Sequence, residues 1–433
     1  MLEPKYLLEE KDRLTESLTK RNYSSEQIEV VEEINNVDRL RKDTQTQADE
    51  LKAKFNKLSS EIGQLYKSGK RDEAEILKEK NLVLKDKIKF LNEKLKNTET
   101  KKEELLISLP NVLHSSVPSG KGEKENELVK EEKSLMPKLK NDALPHWDLA
   151  AKFGLIDFET GAKVTGSGFP FYRGEGARLQ RALISFFLDE GRKHGYTEFQ
   201  TPLLVNEASA RGTGQLPDKD GQMYHAERDD LYLIPTAEVP LTNIYRAETL
   251  KEEQLPVKLT GYTPCFRREA GSYGSDVKGL NRLHQFDKVE IVQIVSPDNS
   301  YDTLKQMVEY VESLIVKLEL PYRILRLCGG DTSFASALTY DFEIFSAAQK
   351  KWLEVSSVSN FESFQSNRMN LKVKSGENKP HLAHTLNGSA LALPRVFAAL
   401  LENNQKENKI ILPKVLHNYM GGTEIQLDET AID

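Results

Sequence analysis

Cysteine is nearly absent from this 433-residue chain: Cys265 and Cys328 stand alone, which leaves no disulfide framework and no CxxC pair for a metal knuckle. No stretch approaches the roughly 18 apolar residues of a membrane span, so no membrane partner is expected. The opening MLEPKYLLEEKDRL mixes both charge signs. It lacks the apolar core of a signal peptide and the acid-poor bias of a transit peptide, and a cytoplasmic protein is expected. An excess of positive charge is also missing. Against 61 Lys and Arg stand 67 Asp and Glu, a net charge of −6, which excludes nucleic-acid binding by bulk charge. GxxxxGK[ST], GxSxG and HExxH do not occur. Gly166-Ser-Gly168 and Gly174-Glu-Gly176 fall short of GxGxxG and lack a βαβ setting, so they read as turns. His284 and His384 are expected to pack rather than to react.

What is present is length and charge. The chain suffices for two or three domains at roughly 150 residues each. With 38% hydrophobic and 30% charged residues it can bury a core while keeping one part long, solvated and helical.

That part is legible between Glu50 and Thr100, where twelve lysines and Arg71 outweigh nine acids and leave +4. Leu51, Phe55, Leu58, Ile62 and Leu65 are spaced 4, 3, 4, 3, and Leu77, Asn81, Leu84, Ile88, Leu91, Leu95 and Thr98 repeat the alternation. Heptads of this kind make a narrow apolar seam for one partner helix. Ser68-Gly69-Lys70 between them is a turn signal. The two helices are therefore expected to fold back on each other as an antiparallel coiled-coil arm over about 38–106, roughly 45–60 Å long. A spacer or dimerisation hairpin with an ordinary solvated basic face is one reading of the arm. The other is a probe for a long polyanion, touched by Lys52, Lys54, Lys57, Lys67, Lys70, Arg71, Lys85, Lys87 and Lys89 with salt-dependent affinity. Aromatic interleaving for base stacking is lacking, so backbone shape would be read rather than sequence.

Residues 113–150 are polar and punctuated by Pro and Gly, as in a linker with at most a short strand. Beyond them, Gly174–Lys193 places Ala177, Leu179, Leu183, Phe186 and Phe187 at helical spacing. Short β-rich runs follow at Leu231–Ile234, Leu259–Phe266, Phe286–Ile294, Thr339–Phe345 and Leu353–Ser359, and a final helix at Ala392–Asn403. Strands clustered between helices indicate α+β with a mainly antiparallel sheet flanked by helices.

Chemistry concentrates in three places. In Thr263-Pro-Cys-Phe-Arg-Arg-Glu269, strand alternation is expected to put Arg267 and Glu269 on one side. A glycine-rich turn, AGSYGSDVKGLNR, and the return strand HQFDKVEIV come next. Such a hairpin can hold a triphosphate without a P-loop. Leu353-Glu-Val-Ser-Ser357 offers a carboxylate and hydroxyls to a hard cation such as Mg²⁺. TLNGSALALPR then puts a second guanidinium, Arg395, near a helix start. This order resembles the class II aminoacyl-tRNA synthetases, with motif 1 ending at Pro202, motif 2 as FRRE 266–269 and motif 3 ending at Arg395. More narrowly it resembles the bacterial-type seryl-tRNA synthetases. The matching strings are TGQLP 213–217, PTAEVPLTN 235–243, TPCFRREAGSYGSDVKGLNRLHQFDKVE 263–290, EVSSVSNFESFQSNRM 354–369 and HTLNGSA 384–390.

The resemblance implies a serine–tRNA ligase that forms seryl-adenylate from serine and ATP and transfers serine to the tRNA 3′ end. It implies a tRNA-binding region at 1–112, a linker at 113–150, a class II catalytic domain at 151–425 and a tail at 426–433. Arg267 is expected at the α-phosphate and Arg395 at the γ-phosphate, both as catalytic groups. Arg268, Glu269, Leu283, Phe286, Glu354, Val355, Ser356 and Ser357 complete the ATP site, with Phe286 stacking on adenine. Glu354 and Ser357 would ligate Mg²⁺; no zinc is expected. Thr236, Ala237, Glu238, Glu290 and Ser389 would hold serine. Alanine would be rejected because it leaves polar partners unpaired, threonine only by size. The arm's partner becomes the long variable arm of serine tRNA, contacted by Lys54, Lys57, Lys70, Arg71 and Lys85, with selenocysteine tRNA as a further acceptor left open. The body is expected to be a homodimer in which one subunit's arm serves the other's site.

Three other readings stand beside this one: a non-catalytic synthetase paralogue, a ligase that loads a carrier protein, and a class II enzyme for another amino acid such as threonine. The first predicts decayed motifs, the second needs no arm, and the third expects a Cys–His zinc pocket. Pro394, where the family more often has glycine, suits a helix first turn. The GGDTSFASALTYD stretch at 329–341 departs from the family pattern, and the acidic tail beyond Gly422 is expected to be unstructured.

Overall fold

The computed structural model describes residues 1–140, 142–218, 221–269 and 278–427. They form two compact units, one of Leu2–Thr19 and Tyr23–Pro110, the other of Met1, Lys20–Asn22 and the chain from Asn111 onward.

The first unit is dominated by two 38-residue helices, α1 (Val30–Lys67) and α2 (Arg71–Ser108), each about 57 Å long. They pair lengthwise. Leu51, Phe55, Leu58, Ile62 and Leu65 on α1 and Leu77, Leu84, Ile88, Leu91 and Leu95 on α2 are half-buried in the seam, and Asn81 and Thr98 are buried there. The reversal needs a residue at φ +77°, which Gly69 supplies. Asn81 donates from Nδ2 to Ser59 Oγ at 2.8 Å, a polar pair inside an apolar seam that marks the register. Near the base, Asp38 of α1 receives Lys102 Nζ of α2 at 2.5 Å together with Lys42 and Arg41. Burial raises the Asp38 carboxyl, but those three donors override it and hold it well below the usual carboxylate range.

The second unit is built on one sheet. In chain order its elements are β1 (Glu127–Glu132), α3 (His146–Lys152), α4 (Gly174–Lys193), β2 (Thr197–Glu198), β3 (Val257–Phe266), β4 (Gln285–Val295), α5 (Ser300–Lys317), β5 (Tyr322–Arg326), β6 (Leu338–Ser346), β7 (Lys351–Asn360), β8 (His384–Ala392) and α6 (Leu393–Asn403). The strands lie in the order β1-β5-β6-β7-β8-β4-β3-β2. Every neighbouring pair is antiparallel except β2–β3. Helices α4, α5 and α6 cover one face. Their core with the sheet includes Leu179, Leu183, Phe186, Phe187, Val311, Leu314, Phe342, Val358, Leu386 and Phe397. Alternation then sends the neighbours of these strand residues to the opposite face, where the site is built.

The short strand allowed for within 113–150 is β1, at the sheet edge. An edge strand with both faces wet needs no apolar alternation, so its sequence ELVKEE has a linker's composition. Two expectations change. Gly174-Glu-Gly176 is the first turn of α4 rather than a turn between elements. There an added Cβ at Gly176 would meet the Leu155 carbonyl. Beyond Gly422 the chain is not simply a tail: Glu424–Gln426 pairs with Lys409–Ile411, burying Ile425 against Ile410. Residues 428–433 lie outside the described residues.

Candidate active site

Two bulges set the site's geometry. On β7, Ser356 opposes Phe342 while Glu354 opposes Glu343, so Val355 is an extra residue. A bulge of this kind lets Glu354 and Ser357, three apart, reach the same neighbourhood, and Ser357 Oγ lies 3.4 Å from Glu354 Oε1. On β8, Ser389 opposes Glu290 while Ala392 opposes Lys288, leaving Ala390–Leu391 as the bulge. Leu391 is fully buried at φ +73°, a left-handed conformation that leucine adopts only under constraint. The kink turns the chain into α6, with Pro394 in its first turn, as the fixed φ of proline favours, and Arg395 immediately after.

Arg395 donates through Nη1 to the Glu354 carbonyl at 2.7 Å and through Nε to the Asn281 carbonyl at 3.1 Å. Its Nη1 is 3.7 Å from Glu354 Oε2. Across the site, Arg267 follows the last residue of β3, its Nε donating to the Pro235 carbonyl at 3.3 Å. Its guanidinium lies 5.2 Å from the ring centre of Phe286. Arg268 is held by the Met223 carbonyl at 3.1 Å and the ring of Tyr224, whose hydroxyl meets His284 Nδ1 at 2.7 Å. Strand alternation does not govern Arg267 and Glu269, because β3 stops at Phe266. Glu269 instead adopts φ +49° and pairs with Arg282 at 2.5 Å. Leu283, Val355 and Ser356 are buried, and Ser356 Oγ donates to the Ser389 carbonyl at 2.7 Å. The expected glycine-rich turn falls largely on 270–277, outside the described residues.

A second cluster adjoins Arg267 through Pro235. Thr236 Oγ1 donates to Glu290 Oε2 at 3.0 Å. Lys288 Nζ reaches Glu290 Oε2 at 2.5 Å and Thr236 Oγ1 at 2.9 Å. Glu238 receives Gln365 Nε2 at 2.6 Å, and Thr385 Oγ1 donates to Gln365 Oε1 at 2.7 Å. Ala237, Glu238, Lys288, Glu290 and Ser389 are all buried. Two carboxylates thus share one lysine, and the lysine sits on Glu290. Burial, and then the charge of Glu290, push the Glu238 carboxyl up to about 7. Lys288, Asn387 and Gln365 belong to this pocket but were not among the expected residues. Lys288 lies two residues from Glu290 and Asn387 two from Ser389, so period-two alternation was the available signal.

The donors at Glu354 are all oxygens. Asp341 stands opposite Ser357 with its buried Oδ1 unpartnered, and burial and then Glu354 push its carboxyl well above the usual range. A few oxygen ligands at the open face of the sheet fit Mg²⁺, which takes one or two carboxylates and completes its shell with ligand oxygens and water. Among the described residues no group of three or more His, Cys, Asp or Glu side chains is placed to hold a metal ion. Both cysteines are buried free thiols.

The sheet, the two arginines at its open face and the acidic strand β7 beside β8 define a class II aminoacyl-tRNA synthetase core, and that core domain matches residues 222–404. The seryl-tRNA synthetase N-terminal domain matches residues 1–113. A serine–tRNA ligase of Salinibacter ruber is 52% identical over 399 residues, 92% of this chain and 93% of that protein. The solved seryl-tRNA synthetase of Pyrococcus horikoshii complexed with ATP has 34% identity and a TM-score of 0.92, covering 99% of this chain and all of that one. The cytoplasmic serine–tRNA ligase of Naegleria fowleri in complex with AMP has 25% identity and a TM-score of 0.86, covering 99% of each chain. The chain belongs to the seryl-tRNA synthetase family.

On the arm, Lys54, Lys57, Arg71 and Lys85 are exposed, and Lys70 is exposed and paired with Glu73 at 3.0 Å. No described helix is long and apolar enough to cross a membrane.

Proposed function

We infer that the chain is an ATP-dependent serine–tRNA ligase: serine's carboxylate attacks the α-phosphorus of ATP, pyrophosphate leaves, and the tRNA 3′-terminal hydroxyl then takes the seryl group and releases AMP. The observation that carries this reading is the charge balance of the Thr236–Glu290 pocket. Glu290 has its cation in Lys288, whereas Glu238 has the Gln365 amide, and a buried second carboxylate beside a first is costly. A ligand ammonium against Glu238 supplies the missing charge, and the hydroxyl of serine then falls to Thr236, Glu290 and Ser389. An analogue without the hydroxyl leaves these buried groups unpaired, a penalty of about 10⁴ in discrimination for sites of this type.

Arg267, anchored one residue from Thr236, neutralises the α-phosphate as the pentacoordinate charge develops, and Phe286 beside it offers a ring face to adenine. Arg395 grips the γ-phosphate, its guanidinium aimed by the Glu354 and Asn281 carbonyls. Arg268, Glu269 and Leu283 frame the nucleotide, with Val355 and Ser356 as the floor. Glu354 and Ser357 would hold Mg²⁺, which would supply further neutralisation of phosphate charge. The basic arm, with Lys54, Lys57, Lys70, Arg71 and Lys85, takes the long variable arm of serine tRNA by phosphate contacts. Family membership supports a cytoplasmic homodimer in which the arm of one subunit serves the partner's site, and sedimentation of the purified chain tests its dimeric state. The test of function is acid-precipitable charging of total bacterial tRNA with labelled serine, alanine and threonine in parallel. Serine alone is expected on tRNA. Serine-dependent ATP–pyrophosphate exchange without charging would point instead to a carrier ligase, and no exchange to a non-catalytic paralogue.

A further inference from the structure

The Glu402 carboxylate is fully buried on α6, two turns beyond Arg395. Its Oε1 accepts from His146 N, His146 Nδ1 and Gln349 Nε2, each at 2.9 Å. Its Oε2 accepts from Ser346 Oγ, from Ala348 N at 3.3 Å and from Gln349 N at 3.4 Å. Burial alone would raise this carboxyl, but the hydrogen bonds from His146 and Ser346 override it and hold it below its ordinary value. His146 is fully buried too. Since Nδ1 donates to Glu402, Nε2 is the acceptor, and it takes the Leu280 N–H at 2.8 Å. Gln349 extends the network, its Oε1 receiving Asn281 Nδ2 at 2.9 Å. The Asn281 carbonyl is the acceptor for Arg395 Nε. The hydrogen bonds therefore close a circuit: from Arg395 at the start of α6, through Asn281 and Gln349, to Glu402 near its end.

The segment 278–281 is pressed onto α3 along this circuit. Gly279 stands at φ +67°, and a Cβ there would lie 2.3 Å from His146 Nε2 and 3.1 Å from the Trp147 ring. Lys278 Nζ sits 4.7 Å over that ring. An apolar filler would pack this space at less desolvation cost than a buried carboxylate and imidazole, so stability alone does not account for them.

We propose that His146 and Glu402 are positioning residues for nucleotide binding: they hold the 278–281 segment so that the Asn281 carbonyl aims Arg395 at the terminal phosphates. This inference rests on the ligase reading, so serine-dependent ATP–pyrophosphate exchange by the unaltered full-length protein is measured first. Its absence would overturn that reading. With exchange present, His146→Leu removes both ring contacts and is expected to raise the KM for ATP about tenfold while the KM for serine stays within twofold. His146→Gln, whose carbonyl can accept the Leu280 N–H, recovers most of that loss. Hydrogen exchange at the Leu280 amide, followed by mass spectrometry on a peptide spanning 278–283, accelerates at least tenfold in His146→Leu and much less in His146→Gln. Where His146→Leu fails to melt cooperatively, Gln349→Met, at a half-buried position, severs the Asn281–Glu402 bridge and raises the KM for ATP several-fold with the same selectivity. An unchanged KM for ATP in a cooperatively melting variant overturns the proposal. So does an equal rise for ATP and serine.

Discussion

Protonation of Glu238 should govern serine binding. The group is 8% exposed, Glu290 lies close by, and its pKa is pushed from the ordinary 4.5 to about 7. A carboxyl whose folded-state pKa is raised keeps its proton in the native state after the unfolded chain has lost it. Between about pH 4.5 and 7 the native state binds more protons, so this group's contribution makes stability fall as pH rises, by roughly 3 kcal/mol in all, and then level off. The same ionisation creates the site for an ammonium ion. At pH 6 only about a tenth of the protein carries ionised Glu238, so the KM for serine should be about tenfold higher than at pH 8. Glu238→Gln removes both effects. In serine-dependent pyrophosphate exchange from pH 5.5 to 8.5 its KM is high and loses the step near pH 7. In parallel denaturant titrations it gains stability relative to the unaltered chain as pH rises from 4.5 to 7. A pH-independent KM in the unaltered chain, or a step near pH 7 that survives Glu238→Gln, would refute the charge-balance argument.

Removing a preorganised guanidinium from developing phosphate charge costs a few kcal/mol, so Arg267→Ala or Arg395→Ala should each lower exchange about 10²–10³-fold with little change in melting temperature. An effect below tenfold in Arg267→Ala would refute its placement at the α-phosphate. Combined Lys54→Ala, Lys57→Ala and Lys85→Ala should raise the KM for tRNA and reduce the salt dependence of charging by about two to three ion equivalents, with exchange as the tRNA-free reference. An unaltered salt slope would remove these lysines from the interface. Asp38 has a depressed pKa, so its contribution is present above the ordinary aspartate range and lost as pH falls through and below it. Asp38→Asn should therefore cost roughly 1–2 kcal/mol in arm stability at pH 7, a difference that shrinks below pH 4 when arm unfolding is followed by circular dichroism.

The heptad spacing from Leu51 to Thr98 and the turn at Ser68-Gly69-Lys70 determined the arm by themselves, because each helix's partner is the next element along the chain. The hairpin of β3 and β4 was likewise local, and α4 followed from its apolar periodicity. Lys288 was within reach of the same reasoning, being two residues from Glu290 on a strand already foreseen, whereas Asn387 and Ser389 lie on β8, a strand the apolar pattern did not reveal. What no local pattern carried was register. Whether Glu354 meets Ser357 depends on a bulge at Val355 that exists only against β6, and the aim of Arg395 depends on a bulge at Leu391 that exists only against β4. His146 was further out of sight. Its ring nitrogens are satisfied by groups 134 and 256 residues away. Its polarity is explained only once α3, α6 and the 278–281 segment are packed together. Spacing along a chain determines what a segment can become, while a buried charge or a bulge takes its meaning from partners that tertiary packing alone brings into contact.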